Sequence, residues 1–242
     1  DNVFFKYEGK IQDEKTDVDR MALKGISFKL KKGETLAIIG GTGSGKTSLV
    51  NLIPRFYDAT SGSVKINGND IKMYNRNDIR QQIGTVMQKP LLFSESIEEN
   101  IKWGKPDATS EEVANCCKEA QIDDFISSLE EGYKYQLGQS ANNLSGGQKQ
   151  RISIARTLVR KPGLIILDDS LSAVDFKTEA AIRHVLTALN STKIIIAQRI
   201  SSIKEADKIL LLENGSMVGF GTHDELIQNN TVYQEIYKSQ TN

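Results

Sequence analysis

The chain has 242 residues, which is enough to bury a core and to form one large domain or two small ones. Its 31 basic and 31 acidic residues balance, so the charge does not indicate a general attraction to nucleic acid or to anionic lipid. No apolar run approaches the roughly 20 residues that a membrane-spanning helix needs, and no signal peptide is evident. Because the sequence starts with Asp1 and continues at once as a strand pattern, we expect a domain taken from a longer chain.

The first third of the sequence predicts a small antiparallel sheet joined to an α/β core. Residues 8–20 are mostly charged and polar and predict an exposed hairpin tip or insertion. A turn is predicted at Lys32-Gly33, ahead of a buried strand. Alternating or apolar runs predict strands at 2–7, 26–30, 36–39, 63–67 and 84–87.

The apolar run at 36–39 leads directly into the sequence GGTGSGKT at 40–47, which fits the pattern G-x-x-x-x-G-K-[ST]. Glycines let successive backbone N–H groups point at a polyphosphate, and the following helix adds its positive N-terminal end. Lys46 supplies a compact charge for the outer phosphates, and the Thr47 hydroxyl can ligate Mg²⁺. A glycine-rich turn that binds nothing is the alternative, and the strand before and the helix after it disfavour that alternative. The predicted nucleotide-binding residues are Gly41, Thr42, Gly43, Ser44, Gly45, Lys46, Thr47 and Ser48.

From about residue 90 to residue 160 the pattern is helical, apart from a loop at 132–144. Cys116 and Cys117 are the two cysteines of the chain. Neighbours in sequence cannot easily form a disulfide, and no C-x-x-C pair is present for zinc. We therefore expect both to pack in a helix, in a reducing compartment.

The last third predicts buried strands, a hairpin and a closing helix. Uniformly apolar runs at 164–167 and 194–197 are typical of parallel strands that are covered on both faces. Asn214-Gly215 predicts a tight hairpin turn, and a capping-box pattern at 222–225 predicts a helix start. His223 is interpreted as part of that helix start and His184 as a surface residue.

Two carboxylates, Asp168 and Asp169, follow the strand at 164–167. Ligands of open α/β sheets collect at the carboxyl ends of strands. Asp168 is therefore predicted to help hold Mg²⁺. Asp169 occupies the position where a hydrolase with a phosphate loop can place a base for the attacking water. A pair of ordinary loop carboxylates is the alternative.

A second phosphate-facing element is predicted at 144–148, with the sequence LSGGQ before a helix. Ser145 and Gln148 also fit a capping box, so this stretch could simply start a helix. Gly146 and Gly147 argue for more, because they cost helix propensity and permit close backbone approach to a ligand. One chain would then carry two phosphate-facing surfaces, which two chains packed head to tail would bring together.

In their order and spacing these motifs resemble the nucleotide-binding domain of an ATP-binding-cassette (ABC) transporter, over essentially the whole chain. Residues 92–101 are similar to the exporter branch, whose subunits fuse a membrane domain ahead of this one. The motifs that carry the resemblance are the phosphate loop, Gln88, 144–148, 164–168, 172–175 and Gln198.

The resemblance implies an α/β fold: a P-loop NTPase (RecA-like) core with an antiparallel β subdomain and an inserted helical subdomain. It divides the chain at 1–88, 89–160 and 161–242. It also implies that Tyr7 stacks on adenine, although Tyr7 could instead be a strand aromatic that packs inward. Gln88 is implied to touch Mg²⁺ and to sense the membrane domain, and Asp175 to lie at the dimer interface.

Two positions depart from the family pattern. The base position, ordinarily Glu, is Asp169, and the switch position, ordinarily His, is Gln198. Asp is one methylene shorter than Glu, and a misplacement of about 1 Å can cost on the order of 10²-fold in rate. Gln198 can hydrogen-bond a phosphate but cannot become cationic. Together these changes predict a site that binds ATP and hydrolyses it weakly.

The intact motif at 144–148 predicts a heterodimer in which this chain completes the site of a non-identical partner. By the resemblance, the pair works with membrane domains at the cytoplasmic face of the membrane and exports small molecules such as drugs or lipids, with no nucleic-acid partner. A homodimeric exporter with ordinary ATPase activity and a regulatory clamp that never hydrolyses ATP are the alternatives. A chromosome-associated ATPase is disfavoured, because no heptads and no C-x-x-C pairs lie between the phosphate loop and residues 144–148.

Overall fold

The computed structural model describes residues 1–8 and 21–241, and the described residues form ten strands and nine α-helices. The predicted charged insertion at 8–20 lies, except for Glu8, outside the described residues. The strands are β1 (Val3–Phe5), β2 (Leu23–Ile26), β3 (Thr35–Ile39), β4 (Lys65–Ile66), β5 (Asn69–Asp70), β6 (Ile83–Val86), β7 (Leu164–Asp168), β8 (Thr192–Ile196), β9 (Lys208–Glu213) and β10 (Ser216–Gly221). The helices are α1 (Lys46–Leu52), α2 (Arg76–Gln82), α3 (Ile97–Lys102), α4 (Ser110–Glu119), α5 (Asp123–Ser127), α6 (Gly146–Leu158), α7 (Phe176–Ala188), α8 (His223–Asn229) and α9 (Thr231–Thr241).

The chain forms two compact units, one made of residues 1–83 and 192–242 and the other of residues 84–191. The first unit holds the phosphate loop, and the second holds the motif at 144–148 together with Asp168 and Asp169. The subdivision at 88/89 and 160/161 that the resemblance implies stays a prediction.

In the first unit, β3 lies at the centre of a sheet with the order β10-β9-β3-β8. It pairs in parallel with β8 and with β9, and its residues Leu36, Ala37 and Ile38 are fully buried. The β9–β10 hairpin turns at Asn214 (φ 48°) and Gly215 (φ 81°). Two consecutive positive φ angles are the geometry that the Asn-Gly pair predicts.

The predicted strand at 26–30 is wrong. The strand is β2 at Leu23–Ile26, and residues 27–30 are not in regular structure. Its position is set by antiparallel pairing with β1, where Val3 faces Ile26 and Phe5 faces Leu23. The alternation beyond Ile26 has another explanation, since the ring of Phe28 packs against that of Phe220 with centroids 6.1 Å apart.

In the second unit, β6 and β7 are neighbouring strands, and α6 packs against α3 and α4. Capping boxes start three of its helices, through Ser96 with Glu99, Thr109 with Glu112, and Ser145 with Gln148. Each box satisfies backbone donors that a helix start would otherwise leave unpaired. The buried faces of these helices form the core of the unit through Ile97, Ile101, Val113, Cys117 and Ile152.

Other short-range predictions are confirmed. The predicted capping box at 222–225 starts α8, with Thr222 as its N-cap. Cys116 and Cys117 lie buried in α4, and His184 is exposed on α7. Among the described residues, no helix is long and apolar enough to cross a membrane.

Candidate nucleotide site

The phosphate loop connects β3 to α1, as its sequence predicts. Gly45 is the N-cap of α1 and has φ 102°. A Cβ atom on Gly45 would lie 2.6 Å from the backbone oxygen of Ala22. Both the left-handed backbone and the close approach therefore require glycine at this position.

The outer surface of the loop is open. Gly41, Thr42, Gly43 and Thr47 are exposed, and a Cβ atom on Gly41 or Gly43 would meet no atom within 4 Å. The Lys46 ammonium donates to the backbone oxygens of Gly40 at 2.8 Å and of Gly41 at 2.7 Å. A curled glycine backbone, a helix start and a cation thus meet beside open space, which is the arrangement that a polyphosphate requires.

The β9–β10 turn contacts the backbone of this loop and supports it. The backbone N–H of Gly215 donates to the backbone oxygen of Ser44 at 3.1 Å. A Cβ atom on Gly40 would lie 2.1 Å from the backbone oxygen of Leu212, so the loop and β9 are in direct backbone contact. The conformation of the loop is therefore fixed by residues that lie about 170 positions later in the sequence.

The hydroxyl of Tyr7 is 2.9 Å from the hydroxyl of Ser48, a contact that sequence reasoning missed. Ser48 is buried in α1, directly after the phosphate loop. The Tyr7 ring makes edge-on contacts with Phe5 (centroids 4.7 Å apart) and with Tyr57 (5.1 Å), yet Tyr7 is 49% exposed. The ring is held in place while part of it remains accessible, which fits a stacking platform.

The motif at 144–148 forms the start of α6. Ser145 is the N-cap: its hydroxyl accepts from the backbone N–H of Gln148 at 3.3 Å, and the Gln148 side chain accepts from the Ser145 N–H at 2.8 Å. Ser145 and Gly146 are exposed, and a Cβ atom on Gly147 would lie 3.0 Å from the backbone oxygen of Ala173. The capping-box interpretation is therefore confirmed. It does not compete with the phosphate-site prediction, because the helix start is still exposed.

β7 ends at Asp168, and the residue after it has an unusual backbone. Asp169 has φ 48° and is only 8% exposed. Asp is one of the few residues that adopt the left-handed region without large cost. Its backbone oxygen accepts from the Ser172 hydroxyl at 2.8 Å.

The side chain of Gln88 reaches Asp169. The Gln88 amide nitrogen donates to a carboxylate oxygen of Asp169 at 3.1 Å. These residues are 81 positions apart, and both were predicted separately as site residues. Their contact had no signal in the sequence.

Asp175 is the N-cap of α7, and its carboxylate accepts from the backbone N–H of Thr178 at 3.0 Å. This hydrogen bond holds the pKa of the Asp175 carboxyl below its ordinary value. Asp175 is exposed. Its predicted place at a dimer interface stays a prediction.

Gln198 is exposed, and its loop is held by α9. The side chain of Gln240 donates to the backbone oxygen of Gln198 and accepts from the backbone N–H of Ile200, both at 2.7 Å. Sequence reasoning did not identify Gln240, because nothing in the pattern of a terminal helix marks such a contact.

The described residues contain no cluster of three or more His, Cys, Asp or Glu side chains that could hold a metal ion.

A strand–phosphate loop–helix unit, an acidic strand end and a second exposed glycine-containing helix start define a P-loop ATPase. The family model described as "ABC transporter" matches residues 23–172. The chain therefore belongs to the ABC transporter family, and within it to the ATP-binding domains, which are ATPases.

The similar proteins agree on this family. The chain is 48% identical over 224 residues to the uncharacterised ABC transporter ATP-binding protein YfiB of Bacillus subtilis, covering 93% of this chain and 39% of that protein. It is 44% identical over 242 residues to a putative multidrug export ATP-binding/permease protein of Staphylococcus aureus, covering 99% of this chain and 40% of that protein. The chain thus spans about two fifths of the length of these relatives.

A solved structure confirms the predicted fold class. A bacterial Atm1-family ABC exporter with ATP bound matches with a TM-score of 0.93 and 38% identity, over 100% of this chain and 41% of that one. The α/β ABC ATPase fold with a mixed sheet and helical elements is therefore established for this chain.

Proposed function

We propose that this chain is the ATPase part of one half of a heterodimeric ABC exporter, with a degenerate ATP site of its own and a working 144–148 motif that serves the partner's site. The observation that carries the proposal is the state of Asp169. Its short carboxylate is buried and hydrogen-bonded by Gln88 within the same unit. A base that is both shorter than Glu and held by an amide is poorly placed to accept a proton from water.

Gln198 supports the same conclusion. Its amide can donate to or accept from a phosphate oxygen, but it cannot carry positive charge at any ordinary pH. Its backbone is fixed through Gln240, so the side chain is presented from an anchored loop. Ordered presentation without charge favours holding a nucleotide over cleaving it.

Contacts near the phosphate loop support the proposed ATP-binding residues. The open surface at Gly41 to Gly43, the Lys46 cation and the Tyr7 ring offer contacts to phosphates and to a base. Bound Mg²⁺ would supply neutralisation of the outer phosphate charge, and Thr47, Gln88 and Asp168 are the residues proposed to hold it. Their oxygens are the hard donors that this ion prefers.

The partner's site is proposed to receive Ser145, Gly146, Gly147 and Gln148 of this chain. Ser145 and Gly146 are exposed at the start of a 13-residue helix, so backbone N–H groups and a hydroxyl are presented to solvent. Asp175 is proposed to lie at the same dimer interface.

Membrane domains are proposed as further partners, because the relatives include proteins named ATP-binding/permease of which this chain spans two fifths. Those domains would place the chain at the cytoplasmic face of the membrane and would be moved through the region around 88–101. Small molecules such as drugs or lipids are the proposed cargo, in line with the multidrug-export names of these relatives.

The experiment compares turnover in the purified domain and in three variants, Asp169→Glu, Gln198→His and both together. We expect weak ATP hydrolysis by the unaltered domain and a rise of about 10²-fold or more in the double variant, because base function is worth about 10²–10⁴-fold. ATP affinity is expected to change little. Lys46→Ala is the control, and it should abolish ATP binding in every background.

If the unaltered domain hydrolyses ATP as fast as the double variant, the degenerate site is rejected and a homodimeric exporter is indicated. The assembled transporter provides a second comparison. Ser145→Ala in this chain should lower total turnover strongly if the competent site belongs to the partner.

A further inference from the structure

Gln150 is a buried amide in the helix that carries the 144–148 motif. It is 1% exposed and lies one turn after Gly147 in α6. Its amide nitrogen donates to the backbone oxygen of Met87 at 3.0 Å, while its amide oxygen has no hydrogen-bond partner. Burying an unpaired amide oxygen costs free energy, and methionine would fill a similar volume without that cost. Packing alone therefore does not explain a glutamine here.

The residue that Gln150 holds is next to Gln88. Met87 and Gln88 follow β6, and both residues are exposed. Gln150 bonds the backbone of Met87, and the side chain of Gln88 bonds Asp169 at 3.1 Å. Two consecutive residues therefore connect α6 on one side to the carboxylate at the base position on the other.

The start of the same helix makes a second contact. A Cβ atom on Gly147 would lie 3.0 Å from the backbone oxygen of Ala173, in the segment that follows Asp169. Because α6 is a continuous 13-residue helix, a change of its orientation moves Gly147 and Gln150 together. The helix is thus joined to both segments that flank Asp169 in the fold of this unit.

We infer that Gln150 is a positioning residue that couples the start of α6 to Gln88 and Asp169. A nucleotide contacted by Ser145 in the partner's site would bias the orientation of α6, and Gln150 would pass this bias to the Gln88–Asp169 pair of the chain's own site. The inference rests on the proposed function for the identity of the two sites. It adds a physical connection between them that runs through one side chain.

The test is a double-mutant cycle in the full transporter, with this subunit and its partner assembled. The variants are Gln150→Met, Gln88→Ala and the two together. The partner's own base position is replaced by a neutral amide, so that ATP still occupies the partner's site while kcat and KM report hydrolysis at this chain's own site. Gln150→Met keeps the length and volume of the side chain and removes the donor. Ser153→Ala is the matched control, since Ser153 is another buried polar residue of α6, one turn further on.

We expect Gln150→Met to lower kcat by about fivefold or more, because a misplacement of about 1 Å in a positioned group can cost on the order of 10²-fold, and to leave KM within about twofold. Gln88→Ala should lower kcat at least as much, because Gln88 is also proposed to hold Mg²⁺, and the double variant should match Gln88→Ala alone. Ser153→Ala should leave both parameters unchanged. The non-additivity distinguishes positioning through Gln88 from general support of the helix.

The inference would be overturned if the fold-changes in kcat of the two substitutions multiply in the double variant. It would also be overturned if Gln150→Met leaves kcat unaltered. If Gln150→Met fails to fold, Gln150→Asn takes its place in the cycle, because its amide is too short to reach Met87. A transporter that binds no ATP at all would reject the proposed function as well. A transporter that hydrolyses ATP, but in which the Gln150 and Gln88 substitutions change kcat independently, would reject only the role of Gln150.

Discussion

The hydroxyl groups of Tyr7 and Ser48 lie 2.9 Å apart, which ties an aromatic ring near the N-terminus to the helix that follows the phosphate loop. The ring is also flanked edge-on by Phe5 and Tyr57. Its position therefore depends on the same helix start that is proposed to meet the phosphates. The nucleobase and the phosphates of one bound nucleotide would then be contacted at a fixed spacing.

Ser48→Ala is expected to weaken ATP binding by about fivefold, because a net hydrogen bond is worth about 1 kcal/mol. Tyr7→Phe should cause a similar loss, and the double variant should lose no more than either single one. Isothermal titration of the purified domain with ATP and Mg²⁺ measures the three affinities. If Ser48→Ala still weakens binding in the Tyr7→Phe background, Ser48 contacts the nucleotide directly.

Gly45→Ala is expected to destabilise the nucleotide-free domain by about 2 kcal/mol or more. The left-handed backbone alone costs about 1–2 kcal/mol for alanine, and the new Cβ atom would meet the backbone oxygen of Ala22. Gly41→Ala is the control, since a Cβ atom there meets nothing within 4 Å. Urea unfolding followed by circular dichroism compares the two. Equal stabilities would show that the loop relaxes around the added methyl group.

The thiols of Cys116 and Cys117 are expected to resist alkylation in the folded chain. Burial raises the pKa of the Cys116 thiol to about 11 and that of Cys117 to about 12. The thiolate is the reactive form, so at pH 8 the folded state holds much less of it than the unfolded chain does. Iodoacetamide labelling read by mass spectrometry should be slow in buffer and fast in denaturant. Raising the pH from 7 to 9 should leave most of the folded protein unlabelled.

Gln240→Leu is expected to release the loop at 198–200 from α9. The substitution removes the bonds to the backbone oxygen of Gln198 and to the backbone N–H of Ile200. Hydrogen exchange at the Ile200 amide should therefore accelerate by about fivefold or more, since each bond contributes about 1 kcal/mol. Ser239→Ala is the control, because the Ser239 hydroxyl donates locally, to the backbone oxygen of Ile236 within α9. Unchanged exchange in Gln240→Leu would show that the loop is held by other contacts.

Features with local causes could be predicted from the sequence. Asn214-Gly215 predicts its turn because both residues tolerate positive φ, and Thr222 predicts its helix start because its hydroxyl caps nearby N–H groups. The phosphate loop was recognisable because binding a polyphosphate requires its residue types at its spacing.

Features with distant causes could not be predicted. The position of β2 depends on its partner strand β1, and alternation in the sequence placed it three residues too late. The Gln88–Asp169 and Gln198–Gln240 bonds join residues 81 and 42 positions apart. No local pattern encodes such contacts, because they depend on how the elements pack.

The support that Gly215 gives to Ser44 has a practical consequence for protein engineering. A tight, polar hairpin tip is normally the preferred place to insert a reporter domain or to open a chain by circular permutation. Here the tip donates an N–H to the phosphate loop, and a Cβ atom on Gly215 would lie 2.8 Å from the backbone oxygen of Ala22. A fluorescent sensor spliced at this tip would disturb the very loop whose occupancy it was meant to report.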